Sequence, residues 1–332
     1  MNRLRFLPRF ALLVAASGLF LLTLVSCSRP EPPVSIRVGV TLTVDVLPYL
    51  VMREKGFDRA VGLRVTETNY AGGAAVVEAI ANHLVDVGPS VGSVVVIASA
   101  DRGIIPSVMT PVASESVSDL KHPGMGLLVS KSVTEFHQLE GQYIATNTRN
   151  SLGGIMLSGR LMHESVSSYK VVEMPFANQG LAVAGGNVAG ATLPEPYLTQ
   201  SLRRGDGRLL DWLTGEPPFA RIPYTLVCFR TDFLKKKPEG AEKFLSAYLR
   251  AVKWTVQHER EARTILGKKL SIAEDVAQNM YLLEWPADGR NDPALLLPLE
   301  TEMKDLGMIR DIVLPQKLYD ESYLDRVLTG SR

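Results

Sequence analysis

Ile36-Arg-Val-Gly-Val40, Leu63-Arg-Val-Thr-Glu67 and Val85-Asp-Val-Gly88 are short, valine-rich runs, and what separates them decides the fold. Each has the composition and the alternation, or near-alternation, of a β-strand. Between the first two, Asp45 stands where it can cap a helix that carries Pro48 near its start and stops at Gly56. Between the second and third, Gly72-Gly73 opens a helix with Val76, Val77, Ile80 and Leu84 on one face. Ser90 then starts another apolar helix ending near Gly103, and residues 104–112 read as the next strand. Alternation of strands and helices predicts an α/β protein with mainly parallel sheets.

A second series of the same kind follows. Gly126-Leu-Leu-Val129 and Gln142-Tyr-Ile-Ala-Thr146 read as strands, and Ser151-Leu-Gly-Gly154 opens a helix that runs to about residue 164. A strand over 169–173, a helix over 178–185, a strand stub over 190–193 and a helix over 195–204 come next, with a last strand over 224–230. Behind Pro238 the pattern turns helical: Ala241, Phe244, Leu245, Tyr248, Leu249, Val252 and Val256 form a stripe at helical spacing. Weaker stripes cover 272–283 and 315–328. Two α/β units in series and a helical tail suggest two lobes.

The N-terminus carries a different signal. Arg3, Arg5 and Arg9 precede an almost unbroken apolar stretch over 11–25, too short for a firm membrane span but suited to a secretory signal. It closes on Leu24-Val25-Ser26-Cys27, which resembles the lipobox of bacterial lipoproteins. The expectation is a signal peptide over 1–26, lipidation of Cys27, and a proline-rich tether over 27–33 that holds the protein outside the cytoplasm. An ordinary signal peptide or an uncleaved anchor is the alternative. The 36 Lys and Arg against 35 Asp and Glu, with no charge run, give no footing for a nucleic-acid partner. Roughly 300 residues beyond the signal suffice for one large or two medium domains. Cys27 and Cys228 are the only cysteines, so no disulfide framework is expected. Cys228, inside the apolar run over 224–230, reads as a buried and inert thiol.

The chain contains no GxGxxG, Walker loop, HExxH or GxSxG, and His83, His122, His137, His163 and His258 are scattered. No cofactor and no metal site are expected. The strand-to-helix junctions are instead rich in glycine and small hydroxyl residues: Thr41, Thr43 and Asp45; Gly72, Gly73 and Ala74; Ser90; and the segment from Asn147 through Ser151 to Gly154. In an open parallel sheet such junctions gather at the carboxyl ends of the strands, where ligands bind. Free N–H groups at helix starts can hold anions there without Arg or Lys. For Thr43, Asp45, Ser90 and Ser151 plain helix capping is an equal alternative. Tyr70, Tyr197 and Tyr224 could add flat apolar surface, or simply pack.

In their order and spacing these segments resemble the periplasmic substrate-binding proteins of nitrate, sulfonate, taurine and thiamine-precursor importers (the SsuA/THI5-like, NMT1-like group). The residues that carry the resemblance are Ile36 to Val40 with Leu47-Pro48, Glu54-Lys-Gly-Phe57, Gly73 to Ala81 followed by Val85-Asp-Val-Gly88, Gly141 to Thr146 followed by Ser151, Glu195-Pro-Tyr197, and Phe233 to Pro238. The resemblance implies a type II periplasmic-binding fold, with two α/β lobes joined by a two-crossing hinge: 34–122 as the first part of lobe 1, 123–223 as lobe 2, and 224–332 as the return strand and C-terminal helices. It implies a monomer that clamps a small molecule and delivers it to an ABC permease with its ATPase, not an enzyme. Ligand contacts are expected from Thr41, Thr43, Asp45, Tyr70, Gly73, Ala74, Ser90, Asn147, Ser151, Glu195 and Tyr197. A small organic anion such as a sulfonate is slightly favoured, beside a nitrate-like anion or a pyrimidine precursor. Enzymes on the same fold, of the thiamine-pyrimidine synthase or menaquinone-pathway lyase type, and a ligand-binding sensory component are the alternatives. Two departures touch expected cleft walls: Pro194 precedes Glu195-Pro196, and Thr41 to Asp45 matches neither the sulfonate nor the pyrimidine binders closely.

Overall fold

The computed structural model describes residues 32–330 apart from Pro218 and Asn291; the expected signal peptide, Cys27 and most of the tether lie outside the described residues. The chain first runs through β1 (Val34–Val40), α1 (Leu47–Glu54), α2 (Phe57–Ala60), β2 (Leu63–Asn69), α3 (Gly73–Ala81), β3 (Val87–Gly92), α4 (Ser93–Asp101) and β4 (Met109–Asp119). It then crosses to β5 (Met125–Val129), β6 (Tyr143–Thr146), α5 (Leu152–His163), β7 (Lys170–Glu173), α6 (Phe176–Ala184), β8 (Gly190–Pro194), α7 (Tyr197–Arg204) and β9 (Arg208–Trp212). It returns through β10 (Arg221–Arg230) to a helical tail: α8 (Thr231–Lys236), α9 (Pro238–Gln257), α10 (Glu259–Leu270), α11 (Glu274–Asn279), α12 (Leu297–Asp305), α13 (Pro315–Leu318) and α14 (Ser322–Gly330).

The strands form two five-stranded sheets, ordered β2-β1-β3-β10-β4 and β7-β6-β8-β5-β9. The two orders are equivalent position by position, and the fourth strand of each arrives directly from the other lobe. That origin sets one reversed strand in each otherwise parallel sheet. β1 is parallel to β2 and β3, and β6 to β7 and β8, but β10 is antiparallel to β3 and β4, and β5 to β8 and β9. β4 ends where the chain leaves the lobe and β10 begins where it re-enters, so the two must run in opposite directions. An antiparallel neighbour needs no crossover helix, which lets both crossings stay short.

Local differences have equally physical causes. Ser90 does not open a helix: it lies within β3, next to Pro89, and α4 starts three residues later behind Gly92. The residue before a proline is pushed to extended backbone, which carries the strand through this point. Asp45 does not cap α1 either; it sits in a 3₁₀ turn, Val44–Val46, and is buried. Ser151 does cap α5, its Oγ accepting from the Gly154 N–H at 3.2 Å. The strand expected over 104–112 begins later and runs on to Asp119.

The first lobe's core forms where the tail packs on β10. Phe229 of β10 meets Phe244 of α9 edge to face at 5.6 Å, and Phe244 stacks toward Tyr248 one turn on. Both α9 residues belong to the stripe seen in the sequence, and truncating Phe244 to Ala costs about 3–5 kcal/mol.

The two crossings lie side by side and are tied together at Gly124. Its N–H donates to Ser118 Oγ at 2.8 Å and Thr214 Oγ1 at 3.1 Å, and its carbonyl accepts from the Tyr224 hydroxyl at 2.8 Å. A Cβ here would lie 2.4 Å from the Tyr224 ring, so only glycine lets β10 and the first crossing approach this closely. Arg221 reinforces the hinge by pairing with both Asp119 and Glu284. Glu284 also exchanges backbone hydrogen bonds with Val117, which straps the tail to β4. We expect Gly124→Ala to lose about 1–3 kcal/mol of unfolding free energy, the cost of overpacking. Chemical denaturation measures it, and an unchanged midpoint would contradict the close packing described.

Candidate functional site

The carboxyl ends of the parallel strands in both sheets face one cavity of about 120 Å³. The first lobe contributes Thr41, Thr43 and Asp45 from the β1–α1 loop, Gly73 and Ala74 from the start of α3, Ser90 from β3, and Tyr224 and Thr225 from β10. The second contributes Met125, Asn147, Ser151 and Gly153, with Phe176 at the start of α6 and Pro194 at the end of β8. Thr41, Thr43, Asp45, Gly73, Ala74, Ser90, Asn147 and Ser151 were all expected here, and the structure brings them together.

Tyr70, Glu195 and Tyr197 do not line the cavity. Tyr70 packs its ring over Gly39, where an added Cβ would lie 3.2 Å from it. The Glu195 carboxylate accepts from Thr199 N–H at 3.1 Å, Thr199 Oγ1 at 2.7 Å and Tyr281 N–H at 3.2 Å. Its carbonyl accepts from the Val44 N–H at 2.9 Å, and the Tyr197 hydroxyl donates to the Leu42 carbonyl at 3.2 Å. These two residues therefore join the second lobe to the β1–α1 loop of the first. At another point of contact Asn147 reaches Gly72, where a Cβ would lie 3.0 Å from its amide nitrogen. The lobes touch across the cleft, in a closed arrangement.

The polar groups of the cavity are incompletely used. Thr41 Oγ1, Ser90 Oγ and Asn147 Oδ1 are buried and make no hydrogen bond of normal geometry with any described residue. A buried polar atom left without a partner costs about 1–3 kcal/mol. The N–H groups of Gly73 and Ala74 at the head of α3, and of Leu152 and Gly153 at the head of α5, find no acceptor among the described residues either. The first N–H groups of any helix lack partners within it and carry partial positive charge.

The charge on the wall is acidic. Burial pushes the Asp45 carboxyl above the ordinary carboxylate range, opposed by nearby Thr43, its own N–H and Ser90. Behind it Glu115 is buried as well, accepting from Thr225 Oγ1, from Tyr248 Oη at 2.7 Å and from Trp285 Nε1 at 3.1 Å. Burial raises Glu115 and the Asp45 charge raises it further. Tyr224 is also raised, by burial and then by Asp45 and Glu195. Glu115, Thr225, Phe176 and Met125 were missed in the sequence. The signal for Glu115 is an acid between Ser114 and Ser116 inside a buried strand, hidden by the expected end of that strand at residue 112.

Two other chemistries were tested against the geometry. Asp119, His122 and Glu284 bring ligand atoms within 4.8 Å of one another, but Arg221 already pairs with both carboxylates. Cys228 is buried away from the cavity, and burial pushes its thiol far up, so it offers no thiolate. Among the described residues no histidine lines the cavity beside the serines and threonines.

The chain matches the NMT1-like family over residues 29–268 and belongs to it. Two Bacillus subtilis proteins are similar in sequence. One, YtlA, named as a binding protein, is 24% identical over 75% of this chain and 75% of its own length; the other, named as an aliphatic sulfonates-binding protein, is 26% identical over 74% and 72%. The fold is that of the periplasmic binding proteins. The nitrate-binding protein NrtA from Synechocystis superposes with a TM-score of 0.71 at 15% identity, covering 90% of this chain and 89% of NrtA. The desulfurization enzyme DszB shares the fold at a TM-score of 0.68 and 14% identity, covering 90% of this chain and all of that one. The fold alone therefore does not separate binding from catalysis.

Both acids are raised in the folded state, so between the ordinary carboxylate pKa and the raised values the folded chain binds more protons than the unfolded one. Stability then falls as pH rises through that window. We expect the melting temperature of the ligand-free protein to fall as pH rises from about 4 toward neutrality, and Asp45→Asn to flatten the slope and add about 1–3 kcal/mol at neutral pH. Differential scanning calorimetry across pH checks both; an equal slope in the variant would contradict the buried, charged Asp45.

Proposed function

We propose that this protein is the substrate-binding component of an ABC importer, working outside the cytoplasm as a monomer held to the membrane by lipid on Cys27. The observation that carries the reading is the set of unpartnered polar atoms facing one cavity from both lobes, Thr41 and Ser90 from the first and Asn147 from the second. A ligand that satisfies groups on both lobes binds the closed form better than the open one, and that difference in affinity closes the hinge. The cavity suits a small molecule. The closed complex is what a permease would receive, and loss of the ligand to the permease would let the lobes part.

The names of the relatives support binding over catalysis, as does the composition of the wall. An enzyme on this fold would need a reactive group in the cleft, and the hydroxyls there stand without a histidine while the described thiol lies elsewhere. The proposed division places the hinge where the chain passes from β4 to β5 and from β9 to β10, near the expected boundaries at 122/123 and 223/224.

Two outcomes are expected. Asn147→Ala and Ser90→Ala should each weaken ligand binding about tenfold or more, since each removes one hydrogen bond made to the ligand on burial, while leaving the melting temperature of the ligand-free protein close to wild type. Titration calorimetry with the ligand recovered from natively purified protein measures this; undiminished affinity in both would exclude the cavity as the site. For the anchor, Cys27→Ser should leave ligand affinity intact and release the protein from washed membranes. A variant that is cleaved after Ser26 yet stays on the membrane would contradict lipidation at Cys27.

A further inference from the structure

The outer face of the first lobe carries a groove whose charges are all of one sign. It has a volume of about 820 Å³ and lies between α2, α9 and α14, beside Lys55 at the end of α1. Its charged residues are Lys55, Arg250 and Lys253, and no Asp or Glu is among the residues that line it. Arg250, Lys253 and Gln257 follow one another along α9 at helical spacing. They are exposed, on the side away from the buried Phe244 and Tyr248.

Two of these cations are set on aromatic rings. The Arg250 guanidinium lies over Phe57 at 4.4 Å, and the Lys55 ammonium lies over Trp254 at 4.3 Å. Trp254 is itself stacked with His258 at 4.5 Å. A guanidinium held flat on a ring keeps its N–H edge free for a planar or tetrahedral oxyanion. Nearby ion pairs join Lys55 to Glu261, Lys243 to Glu239 and Arg326 to Glu242, whereas Arg250 and Lys253 form none with any described residue. The adjoining groove is different. It shares Lys55 but also holds Glu54, Glu67 and Glu261, and Lys269 there pairs with Glu67. With 36 basic and 35 acidic side chains the chain as a whole has no general attraction for anions, so this attraction is local.

We infer that this groove docks the protein on the surface of an anionic phospholipid bilayer, with Arg250, Lys253 and Lys55 on the phosphates and Trp254 at headgroup level. Its composition favours a lipid surface over an acidic protein. Basic side chains set among Trp254, Phe57, Leu249 and Leu328 match what membrane interfaces select. The start of the described chain favours it too. Val34 opens β1 against α9, where a Cβ on Gly240 would lie 2.9 Å from the Val34 side chain. From Gly240 to Arg250 and Trp254 the helix advances about 15–21 Å. Residues 27–33, fully extended, span about 23–25 Å at most. A chain held at Cys27 therefore has this face within reach of the membrane that holds it. The step rests on the membrane-held reading above and adds an orientation to it: a tether alone leaves the protein free to tumble, and a second contact on one face fixes which way the cleft points.

Vesicle flotation tests this with the mature chain from residue 27 carrying Cys27→Ser, so that no lipid is attached. Vesicles of phosphatidylcholine alone are set against vesicles of phosphatidylcholine and phosphatidylglycerol in equal parts. The protein should float with the mixed vesicles, stay behind with phosphatidylcholine alone, and be released by added salt, which screens exposed charge. Arg250→Glu with Lys253→Glu should lower the partition coefficient about tenfold or more. Lys131→Glu with Lys170→Glu, at two exposed positions on the second lobe, makes the same change in net charge and should leave it unaltered. Equal binding to both kinds of vesicle, or an equal loss in the two variants, would overturn the proposal. Absence of binding to the mixed vesicles would overturn it as well, and would leave an acidic protein surface as the partner of the groove. These outcomes are independent of the ligand titrations and of the Cys27→Ser release from membranes, so the binding-protein reading stands or falls separately.

Discussion

The constraint on which the rest depends is the meeting of two chain crossings at Gly124. Its N–H is held by Ser118 and Thr214, and its carbonyl by Tyr224, so both crossings and the first strand after the return are locked into one small network. Because the chain re-enters each sheet at this point, the entering strands run antiparallel to β3 and β8, whose carboxyl ends face the cleft. Tyr224 spans the two roles, with its hydroxyl on the hinge and its ring in the wall. A rotation about the crossings would therefore be felt directly by a bound molecule.

The cleft stores an electrostatic imbalance that the hinge region does not. At the hinge, Asp119 and Glu284 share Arg221, and the charges are balanced within the protein. In the cavity wall Asp45, and behind it Glu115, are buried with no ion pair among the described residues, and each is raised from its ordinary pKa by the loss of water. The protein gives up stability at this point when empty, as binding sites commonly do. Cross-lobe ties run from Val44 and Tyr281 to Glu195 and from Tyr197 to Leu42, with an ion pair between Arg203 and Asp275 and an edge contact between Trp212 and Tyr281. A bound molecule would add to these ties the partners that the walls lack.

Much of the fold was legible because it rests on local pattern. The valine-rich runs gave β1 and β2, the Phe244–Tyr248 stripe gave α9, and the glycine and hydroxyl junctions gave most of the cavity wall. Family resemblance supplied the two-crossing architecture, which no local pattern contains. What escaped was set by tertiary context. The direction of β5 and β10 depends on which lobe the chain comes from. Asp45 looked like a helix cap because Asp before a proline-bearing helix usually is one; its burial in the cavity wall is set by tertiary packing that no local pattern contains. Glu195 and Tyr197 were expected to contact ligand but lie outside the cavity lining, and their use as ties between lobes depends on contacts distant in sequence, as in the Tyr197 to Leu42 bond with its separation of 155. Glu115 was lost to a strand boundary, the least reliable part of any sequence reading.

The central claim is that one small molecule, bonded to both lobes, holds this cleft shut. Spin labels at the exposed positions Asn82 and Asn187, one on each lobe, allow the distance between them to be measured by pulsed electron resonance before and after removal of the bound molecule. The account predicts a single, narrow distance with ligand, and a longer, broader distribution without it. The same distribution in both states would contradict it.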